Sequence, residues 1–199
     1  MKKYFVTGID TDSGKTVASA ILVEKLKADY WKPIQAGEPT DSDTIRSLVS
    51  TERVIHPEGI VLNAPMSPHA AAKLENIDLR ADQLEVPATE NNLIIEGAGG
   101  LLVPINDEEF VINLAKQFDT EVILVSRNYL GSINHTMLSI AYLKDNGFKI
   151  AGIIFNDIPN PETERFILQH SKLRCLGRIE PLSAINPTTI QSQLKNINL

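Results

Sequence analysis

The chain has 199 residues, 43% of them hydrophobic and 22% charged, with a formal net charge of −6, a length and content that suit a single core. The charge argues against nucleic acid and anionic membranes as partners, no run approaches the roughly 20 apolar residues of a membrane span, and the opening MKKYFVTG lacks an apolar segment of signal-peptide length. The one cysteine, Cys175, excludes an internal disulfide, suits a reducing cytoplasm and reads as a small buried apolar side chain.

Apolar runs alternate with helix-patterned segments along the chain. KYFVTG predicts a first strand leading into a glycine-containing loop, and TVASAILVEKLKADY follows with Val17, Ile21, Leu22 and Leu26 near helical spacing. YWKPIQAG predicts a second strand ended by Gly37, and DSDTIRSLV and SPHAAAKLEN predict two helices. NNLIIEGAGG is a buried run stopped by glycines, EEFVINLAKQF is patterned as a helix, and TEVILVSRN as a strand. GSINHTMLSIAYLKDNG predicts a helix with Gly147 as its C-cap. FKIAGIIFND (strand), NPETERFILQH (helix), LRCLGRI (last strand) and NPTTIQSQLKNI (terminal helix) complete the series.

Strands that are apolar on both faces and separated by helices predict an open, mostly parallel α/β sheet with helices on both sides. Its ligands are expected at the carboxyl ends of the strands. No repeat, low-complexity tract or linker divides the sequence, so residues 1–199 are expected to form one domain.

The chemistry is concentrated in Gly8-Ile9-Asp10-Thr11-Asp12-Ser13-Gly14-Lys15-Thr16. The segment ends like a P-loop, G-x-x-x-x-G-K-[ST], but Ile9 stands where the leading glycine belongs, and Gly8 lies one residue earlier. A strand before it and a helix after it supply the context a phosphate cradle needs. Backbone N–H groups of the loop and helix start would converge on an anion. Lys15 would neutralise the outer phosphates, and the Thr16 hydroxyl would coordinate magnesium.

A nucleotide-bound magnesium ion usually takes one or two carboxylates as well. Glu96 closes the run Leu93-Ile94-Ile95 at the ligand edge of the sheet, with Gly97-Ala98-Gly99-Gly100 behind it. Asp41 and Asp43, in TDSDTIRSL, read from spacing alone as an N-cap or first-turn acids favoured by the helix dipole.

Together these segments resemble the dethiobiotin synthetase family over nearly the whole chain. The family loop G-x-D-T-x-x-G-K-T matches GIDTDSGKT with its extra residue included. In family order follow K-P in WKPIQAG, S-D at Ser42-Asp43, S-P-H at Ser67-Pro68-His69, and E-G-A-G-G at Glu96 to Gly100. L-G-x-I-N-H at Leu130 to His135 and A-G-x-I-x-N-D ending at Asn156-Asp157 complete the set.

The resemblance implies a P-loop α/β homodimer in the cytoplasm. It would convert 7,8-diaminopelargonate, CO2 and ATP with Mg2+ into dethiobiotin, ADP and phosphate, an ATP-dependent cyclo-ligase reaction of biotin biosynthesis. It implies magnesium ligation by Thr16, Asp43 and Glu96, reversing the spacing-only reading of Asp43. Thr11, Asp12, Ser13, Gly14, Lys15, Thr16 and Val17 would wrap the phosphates, and Gly97, Ala98 and Gly99 would bind ATP as well, the glycines letting the backbone approach a phosphate. Asn156 and Asp157 would sit at the adenine, helped by Ile179, Glu180 and Pro181. Gly131, Ser132, Ile133 and Asn134 would bind the substrate's distal carboxylate from the neighbouring subunit, and Lys32 and Ala36 would contact its reacting end.

The reaction brings an anionic carbamate oxygen to the γ-phosphate, so positive charge must lie between them; Lys15 and Lys32 are the candidates. His69 and His135 are expected to be structural. Two departures from the family pattern bear on contacts: Ala36 stands where a serine or threonine is common, leaving any hydroxyl contact to Gln35, and Glu180-Pro181 replaces a proline followed by an aromatic residue. An ATP-switch protein of the partitioning type would need a lysine where Ile9 stands, a cobyrinate-type ligase would need a glutaminase domain with its own cysteine, and a small-molecule kinase would lack the E-G-A-G-G and L-G-x-I-N-H combination.

Overall fold

A computed structural model describes all residues from 1 to 199. Its main sheet has six parallel strands, β1 (Lys3–Gly8), β2 (Asp29–Trp31), β5 (Leu93–Gly100), β6 (Glu121–Arg127), β7 (Ile150–Asn156) and β8 (Cys175–Ile179), in the order β2-β5-β1-β6-β7-β8. A small parallel pair, β3 (Ile34–Ala36) and β4 (Ile60–Leu62), lies apart from it.

Side chains alternate along each strand, and both alternations are apolar. Phe5, Ile95, Leu124 and Phe155 enter one core together with α3 (Pro68–Leu74), α4 (Asn113–Gln117), α5 (Ser132–Asp145) and α6 (Pro161–Ser171). Val6, Ile94, Val125 and Ile154 enter the other, against α1 (Lys15–Leu26), α2 (Asp41–Leu48) and α7 (Pro187–Gln193). Burial on both faces explains why these strands read as continuous apolar runs. The open α/β sheet of the sequence reading is the observed fold, and no helix is long and apolar enough to cross a membrane.

Four local expectations change. YWKPIQAG is two strands in two sheets, because Pro33 has no N–H to donate and breaks the ladder; its carbonyl instead accepts from Ile60. The first half of EEFVINLAKQF is a turn rather than a helix. The Asn106 side chain accepts from the N–H groups of Glu108 and Glu109, and Ile105 and Val111 donate to the carbonyls of Glu109 and Val103, so those groups are spent before a helix can use them. Helix α5 ends on Asn146, and Gly147 follows it in the left-handed region at φ 67°, donating back to Lys144. Cys175 is exposed, since it opens the edge strand β8 with its side chain outward while Leu176 points into the core.

Candidate active site

The loop between β1 and α1 absorbs its extra residue by staying in the sheet one position longer. Ile9 donates to the Val125 carbonyl at 3.1 Å, so the turn begins beyond it. Gly8 is nevertheless the glycine the loop requires: a Cβ there would collide with Ser13 Oγ and come within 2.8 Å of the Asp10 carbonyl. Gly14 caps α1 at φ 92° with no side-chain hydrogen bond, which leaves the first N–H groups of a 12-residue helix available to an anion.

The loop is held from across the sheet. The Asn156 amide at the end of β7 donates to the Ser13 carbonyl at 2.8 Å, and a Cβ on Gly14 would collide with that same amide. Gly14→Ala therefore meets both a forbidden φ and a clash, together worth of order 1–3 kcal/mol. Calorimetric titration with ATP is expected to show binding weakened by roughly tenfold or more; unchanged binding would show that the cradle lies elsewhere.

Next to the loop, four elements bring together Thr16, Lys32, Asp41, Glu96 and Tyr30. The pairing of β2 with β5 sets Trp31 opposite Ile95, so Lys32, one residue further, is level with Glu96. Lys32 Nζ lies 2.5 Å from Asp41 Oδ2 and 3.5 Å from Glu96 Oε1, and donates to the Gly97 carbonyl at 3.0 Å. The Thr16 hydroxyl is 2.9 Å from Glu96 Oε1 and 3.1 Å from Asp41 Oδ1. Tyr30 donates its hydroxyl to Glu96 Oε2 at 3.1 Å. Lys15 is buried beside them, its ammonium on the Thr11 and Asp10 carbonyls at 2.8 and 3.3 Å.

Burial and charge compete in this cluster. Burial pushes the Lys15 ammonium below the ordinary lysine value, although Glu96 opposes it. Burial also acts against charged Lys32, but Glu96 and Asp41 outweigh it and hold its pKa above the usual value. Asp41 is the converse: burial would raise its pKa, and Lys32 brings it below the normal carboxylate range. Lys32 is a buried ion-pair member with 3% exposure, not a solvated strand-end lysine.

The second carboxylate of the cluster is Asp41, and Asp43 does not join it. Asp41, a third exposed, is in phase with the buried Ile45 and Leu48 of α2 at i+4 and i+7, whereas Asp43 is about 200° around the helix from Asp41. The Asp43 N–H donates to the Thr40 cap at 3.0 Å, and its carboxylate, 62% exposed, pairs with Arg46 at 2.5 Å. The first-turn reading from spacing describes Asp43, and the role carried over by resemblance does not. Gln35 braces the replacement: its Oε1 accepts from the Asp41 N–H at 3.1 Å while its amide donates to the Gly37 carbonyl at 2.9 Å. The apolar phase of α2 was the signal in the sequence that separates the two aspartates.

A cavity of about 700 Å³ joins Thr11, Asp12, Gly14, Lys15, Thr16 and Val17 to Lys32, Asp41, Glu96, Ala98 and Gly99. Its far wall is Ile34, Ala36, Pro65, Met66, Ser67, Pro68 and Val103, so a phosphate-type end and a mostly apolar end share one cleft. Several expected residues do not line it. Ser13 is buried behind the loop, Gly97 offers only its carbonyl to Lys32, and Asn156 is engaged with the loop backbone. Asp157 pairs with Arg127 at 2.7 Å, Ile179 is packed in the core, and neither Glu180 nor Pro181 reaches the cavity.

Gly131, Ile133 and Asn134 line a second cavity of about 770 Å³ with Asn128, Tyr129 and Ile158, and the two cavities share no residue. Ser132 lies buried beneath it, its carbonyl accepting the Thr136 hydroxyl at 2.6 Å. His135 bonds Tyr129 through Nδ1 at 2.6 Å.

The model of an AAA domain family matches residues 2–189 of the chain. A protein of Cytophaga hutchinsonii described as ATP-dependent dethiobiotin synthetase BioD is 52% identical over 193 residues, 96% of this chain and 94% of the relative. Proteins of the same description from Christiangramia forsetii and Paramagnetospirillum magneticum are 53% and 41% identical, covering 90% and 96% of this chain and 87% and 93% of theirs. In shape the chain is similar to a ParA family ATPase from Chlorobium tepidum, with TM-score 0.55, 13% identity and 98% of both chains covered. A putative plasmid partition protein from Borrelia burgdorferi superposes with TM-score 0.58 at 10% identity, over 98% of this chain and 96% of that one. At such identities these two likenesses concern the fold alone.

Proposed function

This chain belongs to the ATP-dependent dethiobiotin synthetase family, and from that membership we propose how its residues divide the work of the reaction. It is a ligase of biotin biosynthesis that carries out an ATP-dependent ring closure. The carbon comes from CO2 and the two nitrogens from 7,8-diaminopelargonate, the products being dethiobiotin, ADP and phosphate. The observation that carries the assignment of roles is the single cleft in which a phosphate loop, a buried lysine with two carboxylates, and an apolar wall meet.

The donor set fits magnesium: one hydroxyl and two carboxylates, all oxygen, from Thr16, Asp41 and Glu96. Bound there, the ion would neutralise charge on the β- and γ-phosphates. The N–H groups of Thr11 to Thr16 would cradle those phosphates, that of Thr11 on leaving the Asp10 carboxylate it now donates to at 2.7 Å, and Lys15, which now caps loop carbonyls, would exchange them for phosphate oxygens.

Lys32 has the catalytic part. One substrate amine adds to CO2 to give a carbamate, whose oxygen attacks the γ-phosphorus as ADP leaves. Lys32 stands between the phosphate loop and the apolar wall, where its ammonium can hold the two anions together. The second amine then attacks the carbonyl carbon, phosphate departs, and the ring closes. Both amines belong to one molecule, so positioning supplies much of that step. Ala36 and the apolar wall take the reacting end of the carbon chain.

The distal carboxylate is assigned to Gly131, Ser132, Ile133 and Asn134 at the start of α5 in a second copy of the chain, with Asn156 and residues 179–181 left to the nucleotide base. Two features support a homodimer: the α5 start lines a cavity separate from the cleft of its own chain, and two leucines are exposed there, Leu130 fully, on the wall of that cavity, and Leu138 at 62%, further along α5. Residues 1–199 act as one unit in this reading, in the cytoplasm where ATP is supplied.

Purified protein supplied with MgATP and labelled bicarbonate is expected to incorporate label and release phosphate only when diaminopelargonate is present. Phosphate release that ignores the diamine would overturn the assignment.

A further inference from the structure

We infer that Tyr30 is a positioning residue for the reaction, holding Glu96 Oε2 so that Oε1 faces the phosphate loop. The inference rests on the reading of Glu96 as a magnesium ligand.

The geometry divides the work of the carboxylate between its two oxygens. Oε1 meets Thr16 at 2.9 Å and Lys32 at 3.5 Å on the cleft side, while Oε2 receives the Tyr30 hydroxyl at 3.1 Å from the core side. Register explains how this arises. Tyr30 pairs with Ile94, and because side chains alternate along an extended chain, Tyr30 on β2 and Lys32, one residue beyond its end, share a face with Ile94 and Glu96 on β5. Tyr30 of the edge strand and Lys32 just beyond it thus grip one carboxylate from either end.

Tyr30 is fully buried, with its ring in the core that holds Ile45 and Leu48 of α2. A ring alone would fill this space. The hydroxyl adds a fixed rotamer for Glu96, and outer groups that orient a metal's ligands typically affect metal affinity by about 10–100-fold.

Tyr30→Phe keeps the ring and removes the donor. Titration of the protein–ADP complex with Mn2+, followed by electron paramagnetic resonance, is expected to show about tenfold weaker binding, with KM for diaminopelargonate unchanged. Glu96→Gln should weaken Mn2+ binding at least as much, and adding Tyr30→Phe to it should change Mn2+ binding no further, because the hydroxyl acts through the carboxylate. An effect of Tyr30→Phe that persists in the Glu96→Gln background, or Mn2+ binding unchanged by Tyr30→Phe alone, would reduce Tyr30 to packing. If Glu96→Gln itself leaves Mn2+ binding intact, the metal reading fails, and Tyr30 loses its role with it.

Discussion

Lys32→Ala is expected to lower turnover by about 10²–10³-fold, the usual cost of removing a charge-stabilising group from a reacting centre. The structure adds a second effect. Lys32 is the cation between Asp41 and Glu96, and its removal leaves two carboxylates facing one another, one of them fully buried. Breaking a buried pair costs about 3–5 kcal/mol; Asp41 is a third exposed, so the lower end applies. The melting temperature should therefore fall in chelator, and added magnesium should recover more of it than in the unsubstituted protein, because a cation that binds only the folded state stabilises it. Steady-state assays and thermal melts with and without the metal check both parts. A fully active Lys32→Ala protein would remove Lys32 from the mechanism.

The two aspartates of α2 give the sharpest comparison. Asp41→Asn is expected to cut kcat/KM by roughly 10²-fold or more, since it removes a carboxylate from the proposed metal set and the charged partner of Lys32. Asp43→Asn loses only an exposed pair with Arg46, worth up to about 1 kcal/mol of stability, and activity should stay within about twofold. Parallel kinetics on the two variants decide it, and the reverse ranking would restore Asp43 to the site and remove Asp41.

The likeness in shape to partition ATPases does not alter the assignment. An ATP-switch protein of the partitioning type would need a lysine at position 9, and Ile9 there spends its N–H within the sheet on Val125.

Most of the framework was legible because it follows from short-range rules. Strands buried on both faces must be apolar throughout, so Leu93-Ile94-Ile95 or Val122-Ile123-Leu124-Val125 could hardly be anything else. The phosphate loop was legible for a similar reason: glycines at 8 and 14 mark positions where a Cβ has no room. Errors came where a side chain or a proline competes for backbone groups. Asn106 consumes the N–H groups that would have extended α4, and Pro33 breaks a run whose hydropathy is continuous.

The cluster around Glu96 belongs to another class of information. Thr16, Tyr30, Lys32 and Asp41 lie between 55 and 80 residues from Glu96 in the chain, and no local pattern relates them to it. Composition and order dictated the sheet, the cradle and the presence of a lysine and acids near strand ends, because propensity and periodicity act over a few residues. Which acid meets Lys32, and which tyrosine holds Glu96, depended on the register of β2 against β5 and on the rotation of α2 about its axis. Those are set by the burial of Ile45, Leu48 and Tyr30 in a common core, and they exist only once the chain has packed.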